Sequence, residues 1–188
     1  MADEGDTTLV FEELAYEDVL PVAWTPFAGP VDDHEARRYD DSNHRLLLAC
    51  AALDEQPVLP RDKPDDGSPV MAELARLDSR LTLVLDLLIH LASRDQRRPD
   101  PVRVRFNSIG AAVALESFQF EMGGYGRLDI FLRSALPQPL TLVARVVGLE
   151  KTQAKLRFLP VAAPVGDLID KFAFRTHRRH VAVSRRVR

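Results

Sequence analysis

Few residues of this sequence have the types and spacing of a metal site, a phosphate-binding loop or a catalytic site. His177 and His180 are three residues apart, the helical spacing of two metal ligands, but no third or fourth ligand lies near them in sequence. The arginines around them instead predict a basic face. Segment 123–126 is rich in glycine but lacks the ending of a phosphate-binding loop, so a hairpin turn is predicted there. No G-x-S-x-G motif is present, and we predict no enzyme activity, no metal and no cofactor.

The charges of the chain are concentrated at its two ends, although the formal net charge is only -3. Seven acidic residues and no Lys or Arg occupy residues 1–20, whereas six arginines and no acid occupy residues 175–188. Such asymmetry is typical of a tail that binds nucleic acid or a membrane surface, or of solvated ends that attract each other in an oligomer. Because the whole chain is slightly acidic and the tail lacks aromatic residues, nucleic acid is not an expected partner.

Cysteine usage and hydropathy indicate the cellular compartment. Cys50 is the only cysteine, so no intrachain disulfide can form and a reducing environment is expected. The N-terminus is acidic where a signal peptide would be basic. No apolar run approaches the roughly 18–20 residues of a membrane span. We therefore predict a cytoplasmic protein without a membrane span.

The strongest pattern in the sequence is a heptad repeat of apolar residues within residues 68–98. Ser68 is the predicted N-cap of this helix and Pro69 its first residue. One helix cannot bury such a seam alone, so the repeat predicts an oligomeric coiled coil. The all-Leu core position and the apolar residues that flank the seam favour four helices over two. The predicted interface residues are Val70, Leu74, Leu77, Leu81, Val84, Leu88 and Leu91.

A second helix with the same heptad spacing is predicted to start near Asp32 or Asp33 and to end near residue 55. Asn43 is the polar member of its seam, where such a residue fixes helix register. Cys50 lies on the same seam and is predicted to be buried and unreactive. Two arrangements remain open. Both helices form the oligomeric coiled coil, or they pair only with each other or with the globular part of the chain.

After residue 98 the apolar period changes from helical to alternating, because prolines end the preceding helix. Several short adjacent strands with tight turns indicate a small antiparallel β-barrel. Segment 163–183 is helical again, and an aliphatic and aromatic stripe that includes Ile169 and Phe172 would close one side of the barrel. The predicted strands span residues 101–106, 110–120, 125–134, 140–150 and 152–160.

Five segments resemble the PilZ family of bacterial signalling domains: VRVRFNSIGAAVAL, GGYGRLDIFL, LTLVARVVGL, AKLRFLP and DLIDKFAFRTHRR. The last is similar to the helix that follows the PilZ barrel, where an apolar stripe precedes arginines. The resemblance covers residues 99–180. It implies that residues 17–27, which read as a short edge strand, supply the first barrel strand. The two helices would then be an insertion, as in the helix-bearing, oligomeric PilZ branch of xanthomonads.

The expected fold class is therefore α+β: a small PilZ-like antiparallel barrel with a C-terminal helix, plus two inserted long helices that form an oligomeric coiled coil. Residues 1–30 would hold the acidic N-terminus and the first barrel strand. Residues 31–98 would form the inserted helical hairpin with its oligomerisation helix. Residues 99–188 would form the rest of the barrel, the C-terminal helix and the basic tail.

The resemblance also implies a ligand and the residues that would contact it. PilZ domains bind cyclic di-GMP with an R-x-x-x-R segment before the first strand and a D/N-x-S-x-x-G segment on the barrel surface. Arginines pair with phosphates and stack on guanines, while the Asp and Ser bond base edges. Asn107, Ser108 and Gly110 resemble the second motif, although Asn107 and Gly110 each lie one position from the family spacing. No arginine precedes residue 37, so the first motif is missing.

Arg94 and Arg98 have the R-x-x-x-R spacing, and Arg97 adds a third charge. Two interpretations of these arginines remain open. They interact favourably with the dipole at the end of the heptad helix, or they replace the missing motif and contact the ligand.

The function implied by the resemblance is cyclic di-GMP signalling in the control of type IV pilus motility, biofilm or virulence. The departures from both motifs imply weak or absent direct binding, and hence a homotetrameric adaptor that contacts other signalling proteins. The alternatives are a direct cyclic di-GMP receptor and a structural oligomer without ligand.

Overall fold

The structure, a computed structural model, describes residues 15–29, 31–55, 69–93 and 98–186. Six strands, three helices and a short 3-10 turn lie within these ranges. The strands are β1 (Tyr16–Phe27), β2 (Pro101–Phe106), β3 (Gly110–Ala114), β4 (Tyr125–Ile130), β5 (Leu140–Leu149) and β6 (Gln153–Phe158). The helices are α1 (Asp33–Glu55), α2 (Pro69–Ser93) and α3 (Ala163–Arg186), and the turn is Leu115–Ser117.

The six strands form a closed antiparallel barrel in the order β1-β2-β3-β6-β5-β4, with β4 returning to β1. The alternating pattern of the sequence produces this arrangement, because every second side chain of a strand points inward. In β2, for example, Val102, Val104 and Phe106 are buried, whereas Arg103 is exposed and Arg105 half-buried. The predicted barrel is confirmed.

Strand β1 is not the short edge strand that its prolines predict. It is twelve residues long and closes the barrel: residues 16–21 pair with β2, and residues 22–27 pair with β4. Prolines are tolerated in β1 because each half of the strand pairs with one neighbour in these two ladders. A residue whose N–H would face away from that neighbour donates no hydrogen bond to the ladder, so proline can replace it.

Two strands are shorter than the alternation predicts, and one predicted turn is misplaced. Strand β3 ends at Ala114 because the chain enters the 3-10 turn, and β4 ends at Ile130, after which the Phe131 N–H donates to the Pro21 carbonyl at 3.0 Å. Segment 123–126 is not a hairpin turn, because it leads from β3 to β4, which are not neighbours in the barrel. Gly126, the second residue of β4, lies under the ring of Trp24, where a Cβ atom would lie 2.3 Å from the nearest ring carbon.

Helix α1 packs on the barrel and on α3. Its heptad residues therefore contact the globular part of the chain. For this helix, the second of the two predicted arrangements is the one observed. Asn43, Leu46, Leu47 and Cys50 are all buried there. The prediction that Asn43 fixes the register of a coiled-coil seam is wrong. Its side chain donates to the Thr141 carbonyl at 2.7 Å and accepts from the Thr141 N–H at 2.9 Å.

The position of Thr141 explains why a buried asparagine is needed. Strand β6 pairs with β5 only as far as Ala144, so Thr141 lies beyond the end of β6 in the β5–β6 ladder. The Asn43 amide, which carries both a donor and an acceptor, therefore bonds the strand edge at the point where β6 stops.

Helix α3 covers the barrel through the apolar stripe that its sequence predicts. Val165, Ile169 and Phe172 are buried, and Leu168 packs against the same core. The ring of Tyr16 at the start of β1 joins the helix to the barrel, with centroids 5.2 Å from Phe172 and 5.3 Å from Phe106.

Candidate functional site

The turn between β2 and β3 carries the three residues that resemble the ligand motif. Asn107 is buried, with 1% of its surface exposed, and its Oδ1 accepts hydrogen bonds from the backbone N–H groups of Ile109 at 2.9 Å and Gly110 at 3.0 Å. Its own N–H donates to the Gly110 carbonyl at 3.1 Å. The asparagine side chain thus closes the turn on itself, in the manner of an Asx turn.

Ser108 binds a residue that sequence reasoning did not identify. Its N–H and hydroxyl groups donate to the two carboxylate oxygens of Asp170 on α3, at 3.0 and 2.8 Å. The motif turn is therefore fastened to the C-terminal helix. Asp170 sits beside the apolar stripe of α3 in sequence, but no local pattern connects it with a serine 62 residues earlier.

Arg98 does not lie near this turn. It precedes β2, whereas Asn107 follows it, and a strand of six residues spans roughly 17 Å. Its guanidinium group donates to the carbonyls of Ser134 at 2.8 Å and Leu136 at 3.1 Å, and lies 5.6 Å from the ring centroid of Phe131. Arg98 therefore holds the β4–β5 connection in place. Arg94 and Arg97 lie outside the described residues.

The same connection carries a second structural arginine that the sequence did not single out. Arg133 donates to both carboxylate oxygens of Asp54, at 2.9 and 3.1 Å, and its guanidinium lies 5.3 Å from the ring centroid of Phe172. This ion pair ties the β4–β5 connection to the end of α1. Arginines in this region thus bind groups of the protein itself.

The apolar seam of α2 is the second candidate surface. Between 50 and 65% of the surface of each of the predicted interface residues Val70, Leu74, Leu77, Leu81 and Val84 is exposed on the chain. The side chains of Leu88 and Leu91 lie outside the described part of the structure. A continuous exposed apolar face of this kind marks an interaction site.

The reactivity of the Cys50 thiol can be predicted from its burial. The thiol is fully buried in α1, and burial raises its pKa to about 11. At pH 8 only about 0.1% of the thiol would be ionised, so we expect no reaction of the folded protein with Ellman's reagent over an hour. One equivalent should react after unfolding in guanidinium chloride. Rapid reaction of the folded protein at pH 8 would contradict the placement of this side chain.

No group of three or more His, Cys, Asp or Glu side chains in ranges 15–29, 31–55, 69–93 and 98–186 is placed to hold a metal ion. The side chains of His177 and His180 lie outside the described part. None of the described helices is both long and apolar enough to cross a membrane.

Comparisons with known proteins agree with this geometry. A family model described as an atypical PilZ domain and cyclic di-GMP receptor matches residues 47–186. A solved structure from Xanthomonas campestris, described as a pathogenic protein with a new tetrameric PilZ domain self-assembled via an unusual helical bundle, has a TM-score of 0.72 to this chain. The two chains are 23% identical, and the match covers 95% of this chain and 96% of the other. No curated protein sequence matches. Since the family model covers most of the sequence, this chain belongs to the atypical PilZ domain family.

Proposed function

We propose that this protein is a tetrameric adaptor in cyclic di-GMP signalling, with weak or absent direct binding of the nucleotide at the family motif. The observation that carries the proposal is the internal use of the motif residues. Asn107 bonds its own turn, and Ser108 bonds Asp170. A ligand that uses these groups would have to break hydrogen bonds that already hold the turn to α3, and each such bond contributes about 0.5–3 kcal/mol.

Assembly through α2 is supported by the exposed seam and by its heptad spacing. The residues recur every three and four positions, which places them on one side of the helix, and half or more of each described side chain is exposed on the single chain. The Xanthomonas campestris relative is described as tetrameric through a helical bundle. We infer the same use of α2 here.

The proposed signalling output is inferred from the family to which the chain belongs and not from a site in the structure. A cyclic di-GMP receptor family in bacteria controls behaviour through partner proteins, so the expected outputs are pilus-based motility, biofilm or virulence. The tetramer would present four barrel surfaces to such partners. The bacterial cytoplasm is the proposed location.

The proposal is tested by two measurements on the full chain. Sedimentation equilibrium should give the mass of a tetramer, and isothermal titration at micromolar protein should show no tight, stoichiometric binding of cyclic di-GMP. A monomeric mass overturns the assembly, and tight binding overturns the adaptor role.

The direct receptor remains the second candidate, because the family model is described as a cyclic di-GMP receptor. It predicts tight binding that depends on Arg94, Arg97 or Arg98. Replacing Arg98 by Ala also removes hydrogen bonds to the β4–β5 connection. The thermal midpoint of that variant must therefore be measured alongside its affinity. A structural oligomer without ligand predicts instead that affinity capture with the tetramer retains no signalling protein.

A further inference from the structure

A groove between α1 and α3 continues onto the exposed side of α3. Its inner part is a narrow cleft with an apolar floor, and its outer part is an open depression of about 550 Å3. Lys171 and Arg175 line both parts. We name this surface the basic groove and define it by Leu47, Ala51, Leu168, Lys171, Phe174 and Arg175.

The basic groove combines apolar surface with positive charge. Lys171 and Arg175 are both exposed and lie one helical turn apart. Half of the surface of the neighbouring Phe174 is exposed, and the floor residue Ala51 is small, which leaves room above it. A segment that binds here would therefore carry negative charge next to an apolar side chain.

Two of the three carboxylates that line the groove are bonded to other groups. Asp54 accepts from Arg133 at 2.9 Å, and Asp170 accepts from the Ser108 hydroxyl at 2.8 Å. The third, Asp167, lies at the outer end of the depression, one helical turn before the lysine. The apolar floor of the inner part is therefore bordered by positive charge.

The sequence before β1 has the complementary composition. Residues 1–14, which lie outside the described part of the chain, contain five acidic residues and no Lys or Arg. Leu9, Val10 and Phe11 form a short apolar run that is followed directly by Glu12 and Glu13. Apolar side chains next to a pair of acids match an apolar floor next to a pair of cations.

The position of β1 places the start of this segment beside the groove. Tyr16, the first residue of β1, has its ring centroid 5.2 Å from that of Phe172, and Lys171 directly precedes Phe172 in α3. Arg175 lies about 6 Å further along the helix axis than Lys171. Four residues of extended chain span roughly 14 Å, so Phe11 is within reach of the groove from residue 15.

We propose that the basic groove binds the acidic segment 1–14 of the same chain, with Phe11 against the apolar floor and the two glutamates beside Lys171 and Arg175. The inference goes beyond the proposed function and depends neither on assembly nor on cyclic di-GMP. It gives a role to the separation of acidic and basic charge between the two ends of the chain. Covalent linkage raises the effective concentration of the segment, so even a weak contact is populated. Because the cations are exposed, salt weakens it.

The test measures how fast chymotrypsin cuts the full-length protein after Phe11, with the released fragment followed by mass spectrometry. A synthetic peptide of residues 1–15 is the reference for an undocked segment. At about 0.05 M salt, where screening is weak, cleavage of the protein should be at least roughly tenfold slower than cleavage of the peptide. At about 0.5 M salt the two rates should approach each other.

Lys171→Glu reverses one charge of the groove and should bring the cleavage rate to within about threefold of the peptide. Its side chain is exposed, so circular dichroism should show an unchanged fold. Lys151→Glu is the matched control. It makes the same charge change at an exposed position between β5 and β6 and should leave the cleavage rate at the wild-type value.

Two results overturn the inference: cleavage of the wild type as fast as that of the peptide, or a Lys171→Glu protein that is cut as slowly as Lys151→Glu. A Leu81→Asp variant, which disrupts the α2 seam, tests whether the segment and the groove belong to one chain. Slow cleavage in that variant supports docking within the chain. Cleavage at the peptide rate would mean that the segment binds a neighbouring copy, which overturns the same-chain inference and leaves the adaptor function standing.

Discussion

Leu81→Asp is expected to convert the proposed tetramer into monomers without unfolding the barrel. On the single chain 59% of Leu81 is exposed, so an aspartate is solvated in the monomer. In a helical bundle the same position is buried in every copy, and an uncompensated buried charge costs about 3–5 kcal/mol. A loss of this size in each of four copies weakens the assembly by many orders of magnitude. Sedimentation equilibrium measures the mass, and circular dichroism reports the fold.

Ser79→Asp is the matched control for this prediction. It places the same charge on the same helix two residues earlier, away from the seam, where the Ser79 hydroxyl donates to the Ala75 carbonyl at 2.8 Å and is solvent-exposed. It should leave the tetramer intact. A wild-type monomer, or a Leu81→Asp protein that stays tetrameric at micromolar concentration, would show that α2 is not the assembly helix.

The comparison of α1 and α2 shows what a heptad pattern can and cannot predict. Both helices carry apolar residues at the same spacing, and both were found where the pattern placed them. In α1 the stripe is buried against the barrel and α3, but in α2 it is exposed. The spacing fixes which side of a helix is apolar, whereas the identity of the surface that covers it depends on contacts between residues far apart in sequence.

The barrel was predictable because burial on one side of a strand imposes strict alternation, and that signal is local. The role of β1 was not. Its prolines are typical of an edge strand, and closure through pairing with β2 on one half and β4 on the other involves segments about 80 to 110 residues away. The end of β4 was missed for a similar reason, since β1 pairs with β4 only from Val22 onward and its residues 16–21 pair with β2 instead.

The candidate site was only partly predictable. Asn107, Ser108 and Gly110 share one turn because they are near neighbours in sequence. The sequence could not show that Ser108 binds Asp170, because that contact depends on where α3 packs.

Asn43→Ala is expected to destabilise the fold by about 3 kcal/mol. The substitution leaves the N–H and carbonyl of Thr141 without their partner under α1. Each buried backbone group without a hydrogen bond costs about 1–3 kcal/mol. Alanine is the better helix former by roughly 0.6 kcal/mol, which offsets a small part of the loss.

The measurement is urea unfolding of Asn43→Ala in the Leu81→Asp background, where unfolding does not depend on protein concentration if the chain is monomeric. The midpoint should fall while the slope with urea stays unchanged, because the surface exposed on unfolding is nearly the same. Arg45→Ala is the matched control: it lies two residues along α1, is exposed, and should shift stability by less than about 0.5 kcal/mol. If the two variants unfold at the same urea concentration, Asn43 does not bond the open edge of β5. The docking of α1 on the barrel would then depend on its apolar residues alone.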